Sequence, residues 1–313
     1  MTTSLHLCSR CGGRTEHILH LDADFLLSAH NSHSDIFSCV DCGLASTQPP
    51  LSTSEIRLLY PESYEAYESR TGALALLTAA KHKGDVRRIK RYVVGSTMEA
   101  SVIEIGAGRG EFLSLLDSMK WGTIEGIEPS TSGCRVAKDI YGLDLIEVDV
   151  ESYNFNRKYS VVILRHVLEH LDDPIQFLRR IYDSVLDEGG ILYLKVPKFN
   201  SVEFKLFRKY WHGLDLPRHR WHFRSEVLKS ILEDIGYVVV FARQEVVPTD
   251  FVRSLRNLDA YADGIPQKIG SLFCRLPSIL KISVSALATY LLAPGGSGRM
   301  ILIAQRSSTL LTT

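Results

Sequence analysis

The chain has 313 residues, and its 36 Lys+Arg balance its 36 Asp+Glu, so the formal net charge at pH 7 is zero. This length accommodates one large domain together with a small one, and a hydrophobic content of 45% excludes intrinsic disorder. A neutral chain has no overall attraction for a polyphosphate, which disfavours nucleic acid as the main substrate.

Neither a signal peptide nor a membrane-spanning segment is predicted. Residues 1–14 are polar and lack the apolar stretch of a signal peptide. The most apolar run, residues 282–293, is shorter than the roughly 18–20 residues that cross a bilayer. We therefore expect a cytoplasmic protein, in which residues 271–293 are a candidate contact with a membrane surface.

Four of the six cysteines form two matching Cys-x-x-Cys-Gly turns, at Cys8 and Cys11 and at Cys39 and Cys42. In a reducing compartment such pairs indicate metal binding, although reduced turns or a redox pair are the alternative. Four thiolates close a tetrahedral shell around zinc and leave no position for water, so the predicted site is structural. We therefore expect a zinc ribbon over residues 1–50, with its histidines as loop residues: His6, His17, His20, His30 and His33.

Residues 51–95 are predicted to form a helical linker on the substrate side. Ser52 or Ser54 is placed to cap a short helix, which a tyrosine-rich stretch follows. A longer helix is predicted over residues 73–92, and its basic residues are interpreted as a solvated face.

From residue 101 the pattern alternates between strands and helices, which is typical of a parallel α/β sheet with ligands at the carboxyl ends of its strands. Between strands six and seven, residues 244–298 are predicted to be a mostly helical, apolar insertion. A lid, a dimer face, an interfacial membrane helix and a buried helical pair are its alternative uses. The predicted strands are residues 102–106, 123–128, 143–148, 160–164, 191–196, 237–243 and 300–305.

A glycine-rich turn follows the first of these strands. Gly106, Gly108 and Gly110 alternate with other residues, and glycines let a backbone approach a ligand closely. The spacing differs from the G-x-G-x-x-G of dinucleotide sites. Glu104 and Glu111 flank the turn, and two carboxylates would repel a diphosphate but suit a ligand that carries an ammonium and a sulfonium.

Residues 101–199 resemble the class I S-adenosylmethionine-dependent methyltransferases. The resemblance rests on E-x-G-x-G-x-G at residues 104–110, on R-H-V-L-E-H-L-D-D-P at residues 165–174 and on G-G-I-L-Y-L-K-V-P at residues 189–197. It implies a Rossmann-like, seven-stranded methyltransferase domain over residues 96–313.

The same resemblance implies a cofactor site for S-adenosylmethionine. Glu128 matches the acidic residue that binds both ribose hydroxyls, which a carboxylate can accept together. Asp149 matches the residue that contacts the adenine amino group. The expected cofactor-binding residues are Glu104, Gly106, Gly108, Gly110, Glu128, Asp149 and Arg165.

Methyl transfer is an in-line displacement, so the protein has to align the reactants and remove a proton from the acceptor. A general base is expected near the carboxyl ends of strands four and five, and a neutral imidazole suits that task near pH 7. His166 directly follows strand four, while His219 and His222 lie in a histidine-rich stretch after strand five. These three residues are the catalytic candidates, with structural packing as the alternative for His219 and His222.

The histidine-rich stretch P-R-H-R-W-H-F-R, residues 217–224, is similar to the H-E-H-x-x-Y-F-S segment of the deoxysugar C-methyltransferases, which also carry a four-cysteine zinc ribbon. The resemblance aligns His219 with the proposed base of that group. Pro217 and Arg218 replace the first His-Glu pair of that segment, which puts C-methylation in doubt. The stretch is more similar to a broader group of uncharacterised methyltransferases found with polysaccharide and natural-product genes, and this resemblance implies a hydroxyl acceptor. A sugar, a nucleotide-linked sugar or a natural-product or polysaccharide precursor is expected, with Arg218 and Arg220 as candidates to bind its phosphate or carboxylate.

Three other functions remain open. An RNA methyltransferase could use the ribbon to bind RNA, although R-H-V-L stands where such enzymes carry Asn/Asp-Pro-Pro-Tyr. A methyltransferase-like scaffold could bind a protein partner without catalysis, and a nicotinamide dehydrogenase fits the loop spacing less well. The acceptor, the methylated atom and the oligomeric state are left open.

Overall fold

The computed structural model describes residues 7–22, 33–52, 55–56, 59, 72–245, 247–292 and 298–307. The predicted cap at Ser54 and the tyrosine-rich stretch lie outside the described residues. Within them, no helix combines the length and the apolar character that crossing a membrane requires.

A mixed sheet of seven strands forms the centre of the described molecule, in the order β10-β11-β8-β7-β4-β5-β6. Strands β4 to β8 run parallel, whereas β11 lies antiparallel between β8 and β10. The seven predicted strands and the α/β class are confirmed. The prediction of a parallel sheet is wrong, because the last two strands form an antiparallel pair. The strands are β4 (Ser101–Ile105), β5 (Thr123–Glu128), β6 (Ile146–Glu147), β7 (Tyr159–Arg165), β8 (Leu186–Pro197), β10 (Tyr237–Glu245) and β11 (Arg299–Arg306).

Local capping fixes where the flanking helices begin. The Ser130 side chain accepts the Gly133 N–H, and the Asp173 carboxylate accepts two N–H groups of the helix that starts with Pro174. That helix continues as a π turn, Ile181–Val185, and β8 starts immediately after it, so Gly189 and Gly190 lie inside a strand. The helices are α1 (Gly72–Lys90), α2 (Glu111–Ser118), α3 (Thr131–Tyr141), α4 (Pro174–Arg180), α5 (Val202–Phe207) and α6 (Ser225–Ile235).

A second, antiparallel sheet lies at the N-terminal end, in the order β1-β2-β3-β9. Its first three strands are β1 (Thr15–Leu21), β2 (Ser34–Cys39) and β3 (Ala45–Gln48). The fourth strand, β9 (Trp221–His222), comes from the histidine-rich stretch and pairs Ala45 with His222. The N-terminal sheet therefore extends beyond residues 1–50, and it holds part of the stretch in which the catalytic candidates lie.

Buried apolar side chains join these units into continuous cores. Cys8, Cys39 and Leu44 pack in the same cluster as one face of the large sheet and α6. On the opposite face, Val86 of α1 and Phe112 of α2 pack against β4 and β8. The N-terminal sheet therefore packs against the larger domain and shares its hydrophobic core.

The insertion before β11 consists of three helices, α7 (Pro248–Tyr261), α8 (Gly264–Cys274) and α9 (Ser278–Leu292). The predicted helical insertion is confirmed. Both α8 and α9 pack against α7, and α7 packs against the short turn His212–Leu214. One side of the insertion therefore contacts the segment that follows β8.

Candidate active site

The glycine loop lies at the carboxyl end of β4, which pairs with β5 and β7 inside the sheet. Gly106, Gly108 and Gly110 have φ angles of 69°, 57° and 72°, a region that favours glycine. A side chain at position 106 would also collide with Val167. The Gly106 N–H donates to the Ile127 carbonyl at 2.8 Å, which ties the loop to the end of β5. The loop is thus a fixed cradle with little side-chain bulk.

Glu128, the last residue of β5, turns its carboxylate toward this loop. One carboxylate oxygen accepts the Gly108 N–H at 2.8 Å, and the other accepts the Ser130 N–H at 3.0 Å. Asp149 follows the neighbouring strand β6, and its Oδ1 accepts the Glu151 N–H at 3.0 Å. The structure therefore brings Glu128 and the glycines together and leaves Asp149 one strand away.

Arginines neutralise the other two carboxylates near the loop. Arg165 Nε donates to Glu104 Oε1 at 2.6 Å, and its guanidinium lies 4.3 Å from the centre of the Phe112 ring. Arg109 lies 3.8 Å from Glu111. Burial raises the pKa of the Glu104 carboxyl, and Arg165 opposes that effect. The loop is less acidic than the sequence indicated, and the buried Oε2 of Glu104 has no hydrogen-bond partner.

His219 lies in the turn before β9, and its side chain is 9% exposed. Its Nδ1 lies 3.1 Å from the Gly213 carbonyl, so this nitrogen carries the proton and Nε2 keeps a lone pair. Nε2 is 3.9 Å from Glu169 Oε1 and 3.7 Å from Asp215 Oδ2. Burial, helped by the nearby His170, lowers the pKa of His219 well below its usual value, so the ring is neutral near pH 7.

Glu169 belongs to the recognised sequence pattern, but the pattern gives it no separate role. It is 1% exposed, and its Oε2 has no hydrogen-bond partner. Burial raises the pKa of its carboxyl to about 8. His166 Nδ1 lies 3.3 Å from Glu169 Oε1, and Arg299 donates to His166 Nε2 at 3.2 Å. Both ring nitrogens of His166 are therefore engaged, and its contacts are those of a residue that positions Glu169.

His222 faces the N-terminal sheet. Its Nε2 lies 2.8 Å from the Thr47 hydroxyl, which itself donates to the His219 carbonyl at 2.6 Å. The ring packs against Phe199, and burial lowers the pKa of His222 to about 3. These contacts join the N-terminal sheet to the histidine-rich stretch, and a catalytic role for His222 stays a prediction.

Arg218 and Arg220 do not have the environment expected of phosphate ligands. Arg218 is fully buried and donates to Asp215 at 2.7 Å. Arg220 forms an ion pair with Asp172. Both guanidinium groups pair with carboxylates, and the expectation that they bind an acceptor stays a prediction.

A cavity of about 220 Å³ opens beside Asp215 instead. Its cationic lining residues are Lys209, Arg218, Arg253 and Arg256. Arg253 Nη1 donates to His212 Nε2 at 3.3 Å. No local pattern points to Arg253 and Arg256, because both lie on α7, within the segment that is predicted as an apolar insertion. Only in the fold does this helix reach the segment after β8.

The four paired cysteines converge at the N-terminal sheet. Their sulfurs all lie within 4.8 Å of one another, with Cys8 and Cys42 at 3.5 Å and Cys11 and Cys39 at 3.5 Å. Zinc–sulfur bonds of about 2.3 Å in a tetrahedron separate the sulfurs by about 3.8 Å. The donor set and its spacing therefore fit a structural zinc ion.

Two further groups of possible ligand types occur in the described part of the chain. The exposed group consists of His20, Asp22 and His33, whose side chains hydrogen-bond to one another. His20 lies 2.7 Å and His33 lies 2.6 Å from Asp22 Oδ1. The buried group consists of Glu169, His170 and His219. It coincides with the candidate base, and both of its histidines direct Nδ1 at a backbone carbonyl.

Residues 73–241, more than half of the chain, match the model of a family described as a methyltransferase domain. The matched segment includes the glycine loop, Glu128, Asp149 and His219. It ends before the insertion, so α7 and its arginines lie outside it.

Two curated proteins are similar over shorter segments. Malonyl-[acyl-carrier protein] O-methyltransferase 1 of Ilyobacter polytropus is 30% identical over 115 residues, 35% of this chain and 42% of that protein. An uncharacterized methyltransferase of Staphylococcus carnosus is 24% identical over 152 residues, 46% of this chain and 72% of that protein. The match thus spans less than half the length of the first relative.

Among solved structures, a SAM-dependent methyltransferase from Archaeoglobus fulgidus is similar to this chain with a TM-score of 0.45 and 20% identity. The alignment covers 71% of this chain and 92% of that one.

Proposed function

Because the chain belongs to the methyltransferase domain family, we propose that it transfers a methyl group from S-adenosylmethionine to a hydroxyl group of a small-molecule acceptor. The observation that supports this proposal is that one turn approaches both the glycine loop and His219. Val167 of this turn packs on Gly106, and Glu169 of the same turn faces the neutral ring of His219.

The residues present fit the cofactor. Glu128 would accept the ribose hydroxyls and Asp149 the adenine amino group, since a carboxylate accepts several hydrogen bonds. The unpartnered, buried Oε2 of Glu104 suits the ammonium of the donor, and Arg165 would hold that carboxylate in place. When bound, S-adenosylmethionine supplies a methyl group that its sulfonium has already activated.

In this proposal His219 Nε2 takes the hydroxyl proton as the new carbon–oxygen bond forms. A weak base suffices, because an oxygen that is being alkylated becomes strongly acidic. Burial raises the pKa of the Asp215 carboxyl, but Arg218 outweighs that effect and keeps it ionised. An anion 3.7 Å from Nε2 would stabilise the imidazolium that proton transfer creates. Catalysis then needs His219, with Asp215 and Glu169 as its neighbours.

We further propose that the acceptor is a nucleotide-linked sugar or a similar phosphorylated precursor of a polysaccharide or natural product. The supporting feature is the cavity that Lys209, Arg253 and Arg256 line with positive charge, because Asp215 of its lining lies 3.7 Å from His219 Nε2. Guanidinium groups bind phosphate oxygens in pairs, whereas an uncharged sugar would gain little from them.

Transfer of labelled methyl to a panel of nucleotide-linked sugars, with the free sugars as matched compounds, tests this proposal. We expect label on a nucleotide-linked sugar, and we expect Arg253→Ala to raise its KM at least tenfold. Arg243→Ala, an exposed arginine on β10, is the matched control and should leave KM unchanged. Label on free sugars and nucleotide-linked sugars alike would contradict the phosphate assignment.

Three outcomes would replace the proposal. Methylation of RNA with a steep salt dependence would favour an RNA methyltransferase. Absence of S-adenosylmethionine binding in calorimetry would favour a scaffold. Methylation of the carboxyl group of a malonyl acceptor, the acceptor in the name of the Ilyobacter relative, would make a base unnecessary, because a carboxylate carries no proton at neutral pH.

A further inference from the structure

Exposed large apolar side chains are concentrated in the helical insertion. Of the 16 that occur in the described residues, eight lie between residues 265 and 291, with exposed fractions of 44–74%. An exposed apolar side chain on its own needs no explanation, but a concentrated group marks a surface that is covered in use.

These side chains follow the helical period. On α8 they are Ile265, Ile269 and Leu272, and on α9 they are Leu280, Val284, Leu287 and Leu291. At 3.6 residues per turn, each set falls within an arc of about 60° on its helix. We call these two stripes together the insertion face.

The opposite sides of both helices are occupied. Gly270 and Phe273 of α8 are buried, and a side chain at position 270 would collide with the backbone of Asp259 on α7. Ser285 of α9 is buried as well. The apolar stripes are therefore not the sides by which the helices pack on α7, and they remain open to a ligand.

The charge of this segment is one-sided. Residues 264–292 contain Lys268, Arg275 and Lys281 but no Asp or Glu, although the whole chain is neutral. Lys268 lies beside the α8 stripe, and Lys281 directly follows Leu280. Tyr290, 74% exposed, adds an aromatic side chain with a polar tip near the end of α9.

We propose that the insertion face binds an anionic lipid surface and lies in its interfacial plane. Apolar stripes bordered by lysine, arginine and tyrosine match the chemistry of that plane, in which apolar side chains enter the acyl boundary and cationic groups meet the headgroups. A second copy of the chain would bring three positive charges against three, which disfavours self-association. Helix α9, with 15 residues, is about 22 Å long and too short to cross a bilayer.

Helix α7 links the insertion face to the candidate active site. Helix α7, on which both α8 and α9 pack, carries Asp250, which accepts from Arg299 at 2.6 Å, and Arg253, which donates to His212. Helix α7 therefore lines the cavity beside Asp215 with Arg253 and Arg256, and it also packs against the two helices that carry the insertion face.

Flotation of the full-length protein with vesicles tests this inference. We expect binding to phosphatidylglycerol–phosphatidylcholine vesicles at least tenfold stronger than to pure phosphatidylcholine, and weaker binding at high salt. The double variant Leu280→Asp/Leu287→Asp should lose at least tenfold in binding. Met98→Asp changes an exposed methionine outside the insertion face and should bind like the unmodified protein.

Light scattering without lipid and calorimetry with S-adenosylmethionine complete the test. We expect a monomer, and we expect both variants to keep the cofactor affinity of the unmodified protein, which shows that they fold. Equal binding to neutral and anionic vesicles, or to neither, would overturn the inference. A dimer that the double variant dissociates would overturn it too and would assign the face to a second copy.

Discussion

The donor half and the acceptor half of the candidate site are built in opposite ways. The donor half, with the glycine loop and Glu128, comes from one β-α-β unit, residues 101–128, and uses backbone N–H groups and carboxylates. The acceptor half collects Glu169, His219, Arg253 and Arg299 from separate turns, from α7 and from β11. Local sequence thus specifies the donor half, whereas tertiary packing specifies the acceptor half.

The acceptor half also depends on the N-terminal sheet, whose Thr47 donates to the carbonyl of His219 and whose β3 pairs with β9. The donor half makes no comparable use of that sheet in the contacts described above. Damage to the N-terminal sheet should therefore separate the two halves: acceptor chemistry should fail while the cofactor still binds.

The largest effect is expected from Cys39→Ser. Structural zinc contributes on the order of 10 kcal/mol to folding of small domains, so loss of a thiolate should release the ion and unfold the N-terminal sheet. We expect one zinc per chain in the unmodified protein and none in the variant. Methyl transfer should fall more than a hundredfold, while the Kd for S-adenosylmethionine changes less than threefold.

Metal analysis, hydrogen exchange across residues 221–222 and calorimetry provide these readouts. Cys274→Ser is the matched control, because Cys274 is a half-buried cysteine on α8 outside the four-cysteine group. An unmodified protein that purifies folded and without metal would contradict the zinc assignment. Equal loss of cofactor affinity and turnover in Cys39→Ser would contradict the independence of the two halves.

The loss expected from His219→Ala is confined to turnover and leaves the fold intact. Removal of a general base typically lowers turnover by about 10²- to 10⁴-fold, and the donor half should keep its cofactor affinity. Because burial lowers the pKa of His219, the acid limb of the kcat/KM profile should lie below pH 6.5. His20→Ala, at an exposed histidine of β1, is the control.

Two results would remove His219 from its role as base. Full activity of the alanine variant would show that the acceptor needs no base. Activity that a chelator abolishes and an added divalent metal restores, at unchanged zinc content, would instead assign Glu169, His170 and His219 to a metal ion.

A still smaller effect is expected on the donor half from Glu128→Ala. The affinity for S-adenosylmethionine should fall at least tenfold, about 1.4 kcal/mol, because the ribose hydroxyls lose their acceptor and the Gly108 N–H loses its partner. Turnover at saturating cofactor should remain near that of the unmodified protein. Calorimetry provides the Kd, with the exposed Glu99→Gln as control, and an unchanged Kd would contradict the ribose assignment.

The same contrast explains how much of the molecule the sequence could predict. The seven strands, the Ser130 cap and the glycine turn follow from local patterns, and a carboxylate that ends an apolar strand, Glu128, stands out in the sequence. The antiparallel placement of β11 and the pairing of Ala45 with His222 depend on which distant segments meet. Arg253 and Arg299 reach the site only through that packing, and a pattern of nearby residues carries no information about it.

The last prediction concerns the protonation of Glu169, a buried carboxyl group of the acceptor half. The pKa of Glu169 is raised from an unfolded value near 4.5 to about 8, so between these values the folded chain holds a proton that the unfolded chain has released. The stability contributed by this group is therefore lost as the pH rises through that window, by at most about 1.4 kcal/mol per pH unit. Buried histidines act in the opposite direction below pH 6.5, but they are common to wild type and variant and cancel in a comparison.

Glu169→Gln should therefore gain stability relative to the unmodified protein from pH 5 to pH 8 and no further above it. Urea unfolding at each pH measures this difference, with Glu99→Gln as control, and parallel stability profiles would show that Glu169 is ionised in the folded protein at neutral pH.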